Sequence, residues 1–343
     1  MGHALARLLG PRRSVTPLRA NQVSSVLICR INGRMGNTLF LTPLLEKVHE
    51  LLPHAAIDVA LSYSQGGELL RSLPGVRTVI CFPHKGGPGL VGRYFAALRQ
   101  LRANRYDLAI DPVPESTSDR IVLSLCRAVH RLGFATGSQW APLTHAVPEP
   151  EVPLHQAVQP VFLLCHAFSA PYDPTGLQLS LCLLPEEIAV GTAAVARAMN
   201  VTADEVARRA FGFFAHATAS KSIERSWWAA FWQAFLELQP DALPVEFLPG
   251  PQTAAVDSRF PALHFRSTRA LTAAMAGTRM LISADTGPMH LASSTSVPTV
   301  ALFQATDPTL YGPLKRNDLS IDITASTPQL VAQRCQQIWR SGA

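Results

Sequence analysis

The chain has 343 residues, 48% of them hydrophobic and 16% charged, with a formal net charge of +6. That length suits two domains of ordinary size, and the composition excludes a disordered chain. No apolar run reaches the roughly 18 residues of a membrane-spanning helix; the longest, Val158 to Ala170, is broken by His166 and bounded by Pro160 and Pro171.

The positive charge gathers at the start. Residues 1–45 hold six arginines (7, 12, 13, 19, 30, 34) and no acid before Glu46. Residues 1–22 read as a basic tail that lacks the long apolar core and cleavage site of a signal peptide. Such a tail suits an anionic membrane surface. Nucleic acid is not an expected partner, because no binding motif is present and the aromatics are not interleaved with the cations. The six cysteines (29, 81, 126, 165, 182, 335) have no CxxC spacing. They read as reduced core thiols of a cytoplasmic protein, and no metal site is expected.

In chain order, Val23 to Ile31 is a buried strand and Asn32 to Asn37 a glycine-containing turn. Helical spacing follows, with Leu41, Leu44, Leu45, Val48 and Leu52 on one face. The segments "AIDVALS" and "GVRTVICF" are strands, "GRYFAALRQLRANR" a helix, and "YDLAIDP" a strand ending at Asp111. A helix over "SDRIVLSLCRAV" leads through "HRLGFAT" into another strand. A proline-rich irregular stretch precedes a helix at 156–170, and "SAPYDPTG" interrupts the chain. The alternation then resumes. "FGFFAHA" is a strand, Ser226 to Leu238 a helix, and "PVEFLPG" and "ALHFRS" are strands. "LTAAMAG" is a short helix, Met280 to Phe303 a β-α-β segment, and "TPQLVAQRCQQIWR" an amphipathic helix. Strands alternating with helices imply parallel sheets, with ligands at the carboxyl ends of the strands. The domain expectation is a tail at 1–22, an N-terminal domain at 23–172, a C-terminal domain at 173–326, and a closing helix at 327–343 that could return to the N-terminal domain.

Three strand ends carry chemistry. In "SADTGPMHLASS", Asp285 or Thr286 can cap the following helix, Gly287 permits an unusual dihedral, and Pro288 suits the first turn. The free N–H groups and positive dipole end there suit a phosphate, and they favour a neutral, hydrogen-bonding His290. In "HATASKSIERSWW", Thr218, Ser220 and Ser222 with Lys221 and Arg225 form a second candidate phosphate cradle. Gly250, after the next strand, opens a loop that could receive a base or ribose. The turn "RINGRMGN" is neither a dinucleotide fingerprint nor a P-loop, and it places Arg30 and Arg34 alongside.

"RINGRMGNTLFLTPLL", "HATASKSIERSWW" and "SADTGPMHLASS", in this order, resemble the heptosyltransferase family (glycosyltransferase family nine), which builds the inner core of bacterial lipopolysaccharide. The last stretch resembles the family's D-T/S-G-x-x-H pattern. The resemblance implies an α/β fold of GT-B type, two Rossmann-like doubly wound domains facing across a cleft. It implies an inverting, metal-independent transfer of heptose from ADP-heptose to a lipid-linked saccharide acceptor, at the cytoplasmic face of the inner membrane and without a cofactor. Thr218, Ser220, Lys221, Arg225, Gly250, Asp285, Thr286, Gly287 and His290 would then bind the donor, and Arg30 and Arg34 the acceptor. The family commonly has an Asp, the candidate general base, where Asn37 stands here, and an amide cannot take that proton. Three readings stay open: Glu115 or Asp119 serves as base, Asn37 only orients the acceptor, or the chain is a weak or inactive transferase. Two alternatives stand beside the main reading, a transferase using another nucleotide sugar in surface polysaccharide or glycoconjugate synthesis and a catalytically inactive homologue that binds a nucleotide sugar or glycan.

Overall fold

Continuous apolar runs such as "VLIC" and "FGFF" can bury both faces only in a parallel sheet covered by helices. The computed structural model, which describes residues 17–31, 34–62, 65–83, 87, 89–135 and 143–341, contains two such sheets. The chain divides into two compact units, Met1–Leu177 and Gln178–Ala343; the sequence reading set the junction at 172/173.

The first unit runs β1 (Ser25–Arg30), α1 (Met35–Leu39), α2 (Thr42–Leu51), β2 (Ala56–Leu61), α3 (Gly66–Leu70), β3 (Val76–Cys81), α4 (Leu90–Ala103), β4 (Tyr106–Ile110), α5 (Thr117–Leu125), β5 (Ala128–Phe134), β6 (His145–Val147) and α6 (Gln159–Phe168). Its strand order is β3-β2-β1-β4-β5-β6, all parallel. The single helix expected after the first turn is two. Pro43 has no N–H to continue the ladder, and the Thr42 hydroxyl takes the Leu39 carbonyl at 2.9 Å instead. The expected helix through Val129 stops at Leu125, and Ala128 already belongs to β5.

The second unit runs α7 (Pro185–Met199), α8 (Ala203–Arg209), β7 (Ala210–Phe214), α9 (Arg225–Leu238), β8 (Leu243–Leu248), β9 (Ala262–His264), α10 (Thr268–Ala276), β10 (Met280–Ala284), α11 (Gly287–Ser293), β11 (Thr299–Phe303), α12 (Pro308–Tyr311), β12 (Leu319–Asp322) and α13 (Pro328–Ser341). Its order, β12-β11-β10-β7-β8-β9, is again parallel throughout. Read from β9, the second sheet repeats the order of the first, a doubly wound sheet with one switch point.

Trp228, Phe231, Trp232 and Phe235 recur on one face of α9 and are fully buried against Phe211 and Phe213 of β7. Ring centroids of Phe211 and Phe235 lie 4.7 Å apart, and those of Phe213 and Trp232 4.8 Å. Each such pair adds about 0.5–1.5 kcal/mol beyond area burial, so the N-terminus of α9 is rigidly placed. The closing helix, set apart in the sequence reading, belongs to this core: Val331, Ala332, Cys335 and Trp339 pack in it. Four cysteines are buried as expected, but Cys81 and Cys182 are exposed. Among the described residues, no helix is long and apolar enough to cross a membrane.

Candidate active site

At the second sheet's switch point, the adjacent strands β7 and β10 send their following chain to opposite sides. Asp285 directly follows β10 and is 4% exposed. Its Oδ2 receives Lys221 Nζ at 2.7 Å and also the Thr306 hydroxyl. Lys221 closes a 3-10 turn, Ala219–Lys221, after β7. The Gln304 amide donates to the Ser220 and Ser222 carbonyls, each at 2.8 Å. Loops after β7, β10 and β11 are therefore knitted into one edge. Thr218 and Ser220 stay exposed on it, and the Lys221 side chain keeps 34% of its surface. This edge offers hydroxyls and a cation in the combination that suits an oxyanion. Lys221 is not a free clamp, however, because Asp285 already offsets its charge.

The helix start differs in detail from the expectation. Thr286 is the N-cap residue, but its hydroxyl donates back to the Ala284 carbonyl at 3.2 Å and caps nothing. Gly287 is the first helical residue and does not adopt a left-handed dihedral, so the conformational argument for it falls away. His290 lies in the same helix, buried at 5% exposure.

The loop after β8 is held from two sides. Arg225, the first residue of α9 and exposed, donates to the Ala255 carbonyl at 2.7 Å. Glu246, in β8 and fully buried, receives the Val256 N–H at 2.8 Å through one oxygen. Its other oxygen lies 3.0 Å from His216 Nε2, on the chain that leaves β7. Burial pushes the Glu246 carboxyl above its ordinary range, while the Val256 N–H and His216 pull it back. Gly250 opens the loop, with nothing within 4 Å of where a Cβ would stand. Glu246, Gln304 and Thr306 were not singled out from sequence. The available signals were an acid inside the apolar run "PVEFL" and polar residues one and three places after the strand "TVALF".

In the first unit, Arg30 ends β1 and is buried at 7% exposure. Its Nη1 lies 3.4 Å from Oδ2 of the fully buried Asp119. The other Asp119 oxygen accepts the Ile31 N–H. Arg120 Nε donates to Asp111 Oδ2 at 2.7 Å, and both residues are buried. Burial drives the Asp111 carboxyl up to about 7, with Arg120 pulling against that rise and Asp119 adding to it. Burial likewise raises Asp119, opposed by Arg30. Arg30 and Asp119 thus spend their charge on each other. Arg34, by contrast, is exposed just before α1, Asn37 sits half-buried within α1, and Glu115 is exposed with a left-handed φ of 60°. Of the two alternative carboxylates, only Glu115 reaches solvent.

The sequence model of glycosyltransferase family 9 (heptosyltransferase) matches residues 94–339. The chain belongs to this family. It is a glycosyltransferase with a GT-B-type architecture, and the match begins after the turn that carries Asn37. Among solved structures, the glycosyltransferase family 9 protein of Veillonella parvula DSM 2008 has a TM-score of 0.76 at 17% identity, covering 93% of this chain and 97% of its own. E. coli heptosyltransferase WaaC, solved with ADP, has a TM-score of 0.73 at 17% identity, covering 93% and 100%. E. coli ADP-heptose lps heptosyltransferase II has a TM-score of 0.72 at 18% identity, covering 92% and 99%. No curated protein matches in a sequence comparison. Among the enzyme's described residues, no group of three or more His, Cys, Asp and Glu side chains is arranged to hold a metal ion.

Proposed function

We propose that this glycosyltransferase transfers heptose from ADP-heptose to a lipid-linked saccharide of the lipopolysaccharide inner core, with inversion and without a metal. The observation that carries the reading is the switch-point edge of the second sheet. There Asp285 anchors Lys221, and Gln304 fixes the hydroxyl-bearing loop of Thr218 and Ser220. A diphosphate fits such an edge because its oxygens accept from hydroxyls and a cation at once. The family, and a structural relative solved with ADP, supply the expectation of an adenine nucleotide.

In this reading the donor lies between the loop of Thr218–Arg225 and the start of α11. Asp285 holds Lys221 against the phosphates, and His290 stands in the turn behind them. Arg225 and Glu246 hold the Gly250–Asp257 loop for the base or ribose. On the acceptor side, Arg34 is the exposed cation, Asn37 orients the hydroxyl, and Glu115 is the carboxylate available as base.

Calorimetric titration of ADP, UDP, GDP and their sugar conjugates into wild type and His290→Ala tests this. ADP-selective binding that weakens in the variant supports the reading. Selectivity for uridine or guanosine nucleotides keeps the transferase and replaces the sugar. Donor binding without turnover on any acceptor would favour the non-catalytic alternative suggested by Asn37.

A further inference from the structure

Ten large hydrophobic side chains are exposed among the described residues, and five of them lie on two helices: Val91, Tyr94 and Phe95 on α4, and Ile121 and Leu125 on α5. Val91 and Phe95 expose 67% and 66% of their surface. The two helices are neighbours. Ala97 and Leu101 of α4 share one apolar core with Val122 and Leu123 of α5, over the same face of the first sheet. Arg102 Nη1 donates across to the Leu125 carbonyl at 3.4 Å. The inner faces already serve the fold, and Tyr94 adds an edge-on contact to the buried Phe82 at 5.5 Å between ring centroids, so the outward surface of Val91 and Phe95 is what the core leaves over. Scattered exposed hydrophobics are ordinary, but a group on adjoining helices is the usual mark of a contact surface.

The exposed charge on the two helices themselves has one sign, and Glu115 is an exposed acid in the turn before α5. Helix α4 carries Arg93, Arg99 and Arg102 and no acid, and the one acid in α5, Asp119, is buried. Val91, Phe95, Arg99 and Arg102 succeed one another at helical i+4 and i+3 spacing, so they form a single stripe. We infer that the outer face of α4 and α5 is a membrane-docking surface whose occupant is an anionic lipid bilayer. Val91 and Phe95 enter the boundary between headgroups and acyl chains, and the arginines meet lipid phosphates. A second copy of the chain fits poorly, because a twofold contact would set arginines against arginines with no exposed carboxylate on either helix to receive them. The surface is distinct from the basic tail, of which residues 1–16 lie outside the described residues. It does not depend on the donor assignment.

The test is co-sedimentation of the full-length protein with vesicles of mixed phosphatidylglycerol and phosphatidylcholine, and with phosphatidylcholine alone. Binding is expected only to the anionic vesicles and is expected to fall as salt rises. The double variant Val91→Glu/Phe95→Glu should lower the partition coefficient by about tenfold or more, since two apolar anchors are lost. Arg99→Glu should lower it by about fivefold or more. All three positions are on the surface, so thermal melting should not change. To separate this face from the tail, Phe95→Trp is mixed with anionic vesicles containing brominated phospholipid. Extra fluorescence quenching beyond wild type supports insertion of α4. Vesicle binding that the charge variants leave intact, or no extra quenching at Phe95→Trp, would overturn the proposal. So would a wild-type dimer in solution that Phe95→Glu dissolves, because the face would then belong to a second copy.

Discussion

Both units place an aspartate at the same point of the same topology, directly after the strand that crosses the switch point: Asp111 after β4 and Asp285 after β10. Their surroundings differ. Asp111 is fully buried with Arg120, and Asp119 beside it takes Arg30, so two ion pairs are sealed in the first unit. Asp285 pairs with a lysine that keeps about a third of its side chain in solvent, 34%, beside exposed hydroxyls. The first arrangement closes a sheet edge upon itself, and the second leaves an edge that can exchange partners. The same backbone site is therefore used as a brace in one unit and as a ligand edge in the other, and substitutions at the two should fail in different ways.

The largest expected effect is on transfer. Asp285→Ala releases Lys221 and Thr306 together and should lower kcat/KM by about 10²-fold or more, the scale of a lost electrostatic anchor in a site. Chemical denaturation should show that the fold persists. Initial rates with donor and acceptor check this, and a variant of wild-type activity would remove the distinction between the two aspartates.

The counterpart in the first unit should act on stability. Arg120→Met leaves Asp111 buried without its cation, a change worth about 3–5 kcal/mol when a buried pair is broken. The pH dependence has a definite sign. Burial holds the folded Asp111 carboxyl at about 7, whereas an unfolded aspartate titrates near about 4. The folded state thus keeps the proton longer, and this group's contribution to stability declines as pH rises from about 4 to about 7. The Arg120→Met penalty should be largest above neutrality and smaller in mild acid, where Asp111 can hold a proton. Urea unfolding across that range measures it; a penalty independent of pH would mean that Asp111 does not titrate there.

The alternation of strands and helices was legible because buried parallel strands are continuous apolar runs and α9 repeats large aromatics at helical spacing. Helix α7 received no assignment. Its buried stripe is Gly191, Thr192, Val195 and Ala196, which gives little hydrophobic contrast. Gly191 lies there because a Cβ would come within 2.5 Å of the Ala273 backbone. The four-residue β12 and three-residue β6 are too short for any periodicity. At the candidate site, polar residues at strand ends pointed to the loops after β7 and β10, which the Lys221–Asp285 pair joins. The pairings Lys221–Asp285, Arg30–Asp119 and His216–Glu246 were not readable, because each joins segments on or just after strands whose neighbour relation is fixed by sheet order and not by local pattern. That is why Arg30 and Lys221, read as cations for a ligand, prove to have carboxylate partners of their own.

A middle-sized effect should appear where the second unit itself contains a brace. Glu246 is as buried as Asp111, yet it joins His216 to Val256, on two loops of the proposed donor edge. Glu246→Gln keeps the shape and removes the charge. We expect the donor KM to rise by about tenfold, equivalent to about 1.4 kcal/mol, with kcat changed less, since the residue positions loops and touches no reacting atom. His216→Ala should produce a similar split. A fall in kcat with KM unchanged would instead place this pair in the chemistry.

The smallest effect concerns Arg225, which holds the same segment from outside through the Ala255 carbonyl. Its guanidinium is exposed, so water can replace much of the bond, and Arg225→Ala alone should raise the donor KM by only about threefold. The informative experiment is the double variant with Glu246→Gln. Arg225 and Glu246 grip adjacent residues, 255 and 256, from two sides. With one grip gone, the other has to hold the loop unaided, so losing both should cost more than the sum of the single losses. A coupling of about 0.5 kcal/mol or more is expected for residues that share one restrained segment. Strict additivity would mean that the two contacts hold the loop independently, and the second unit's brace would then be separable from its ligand edge.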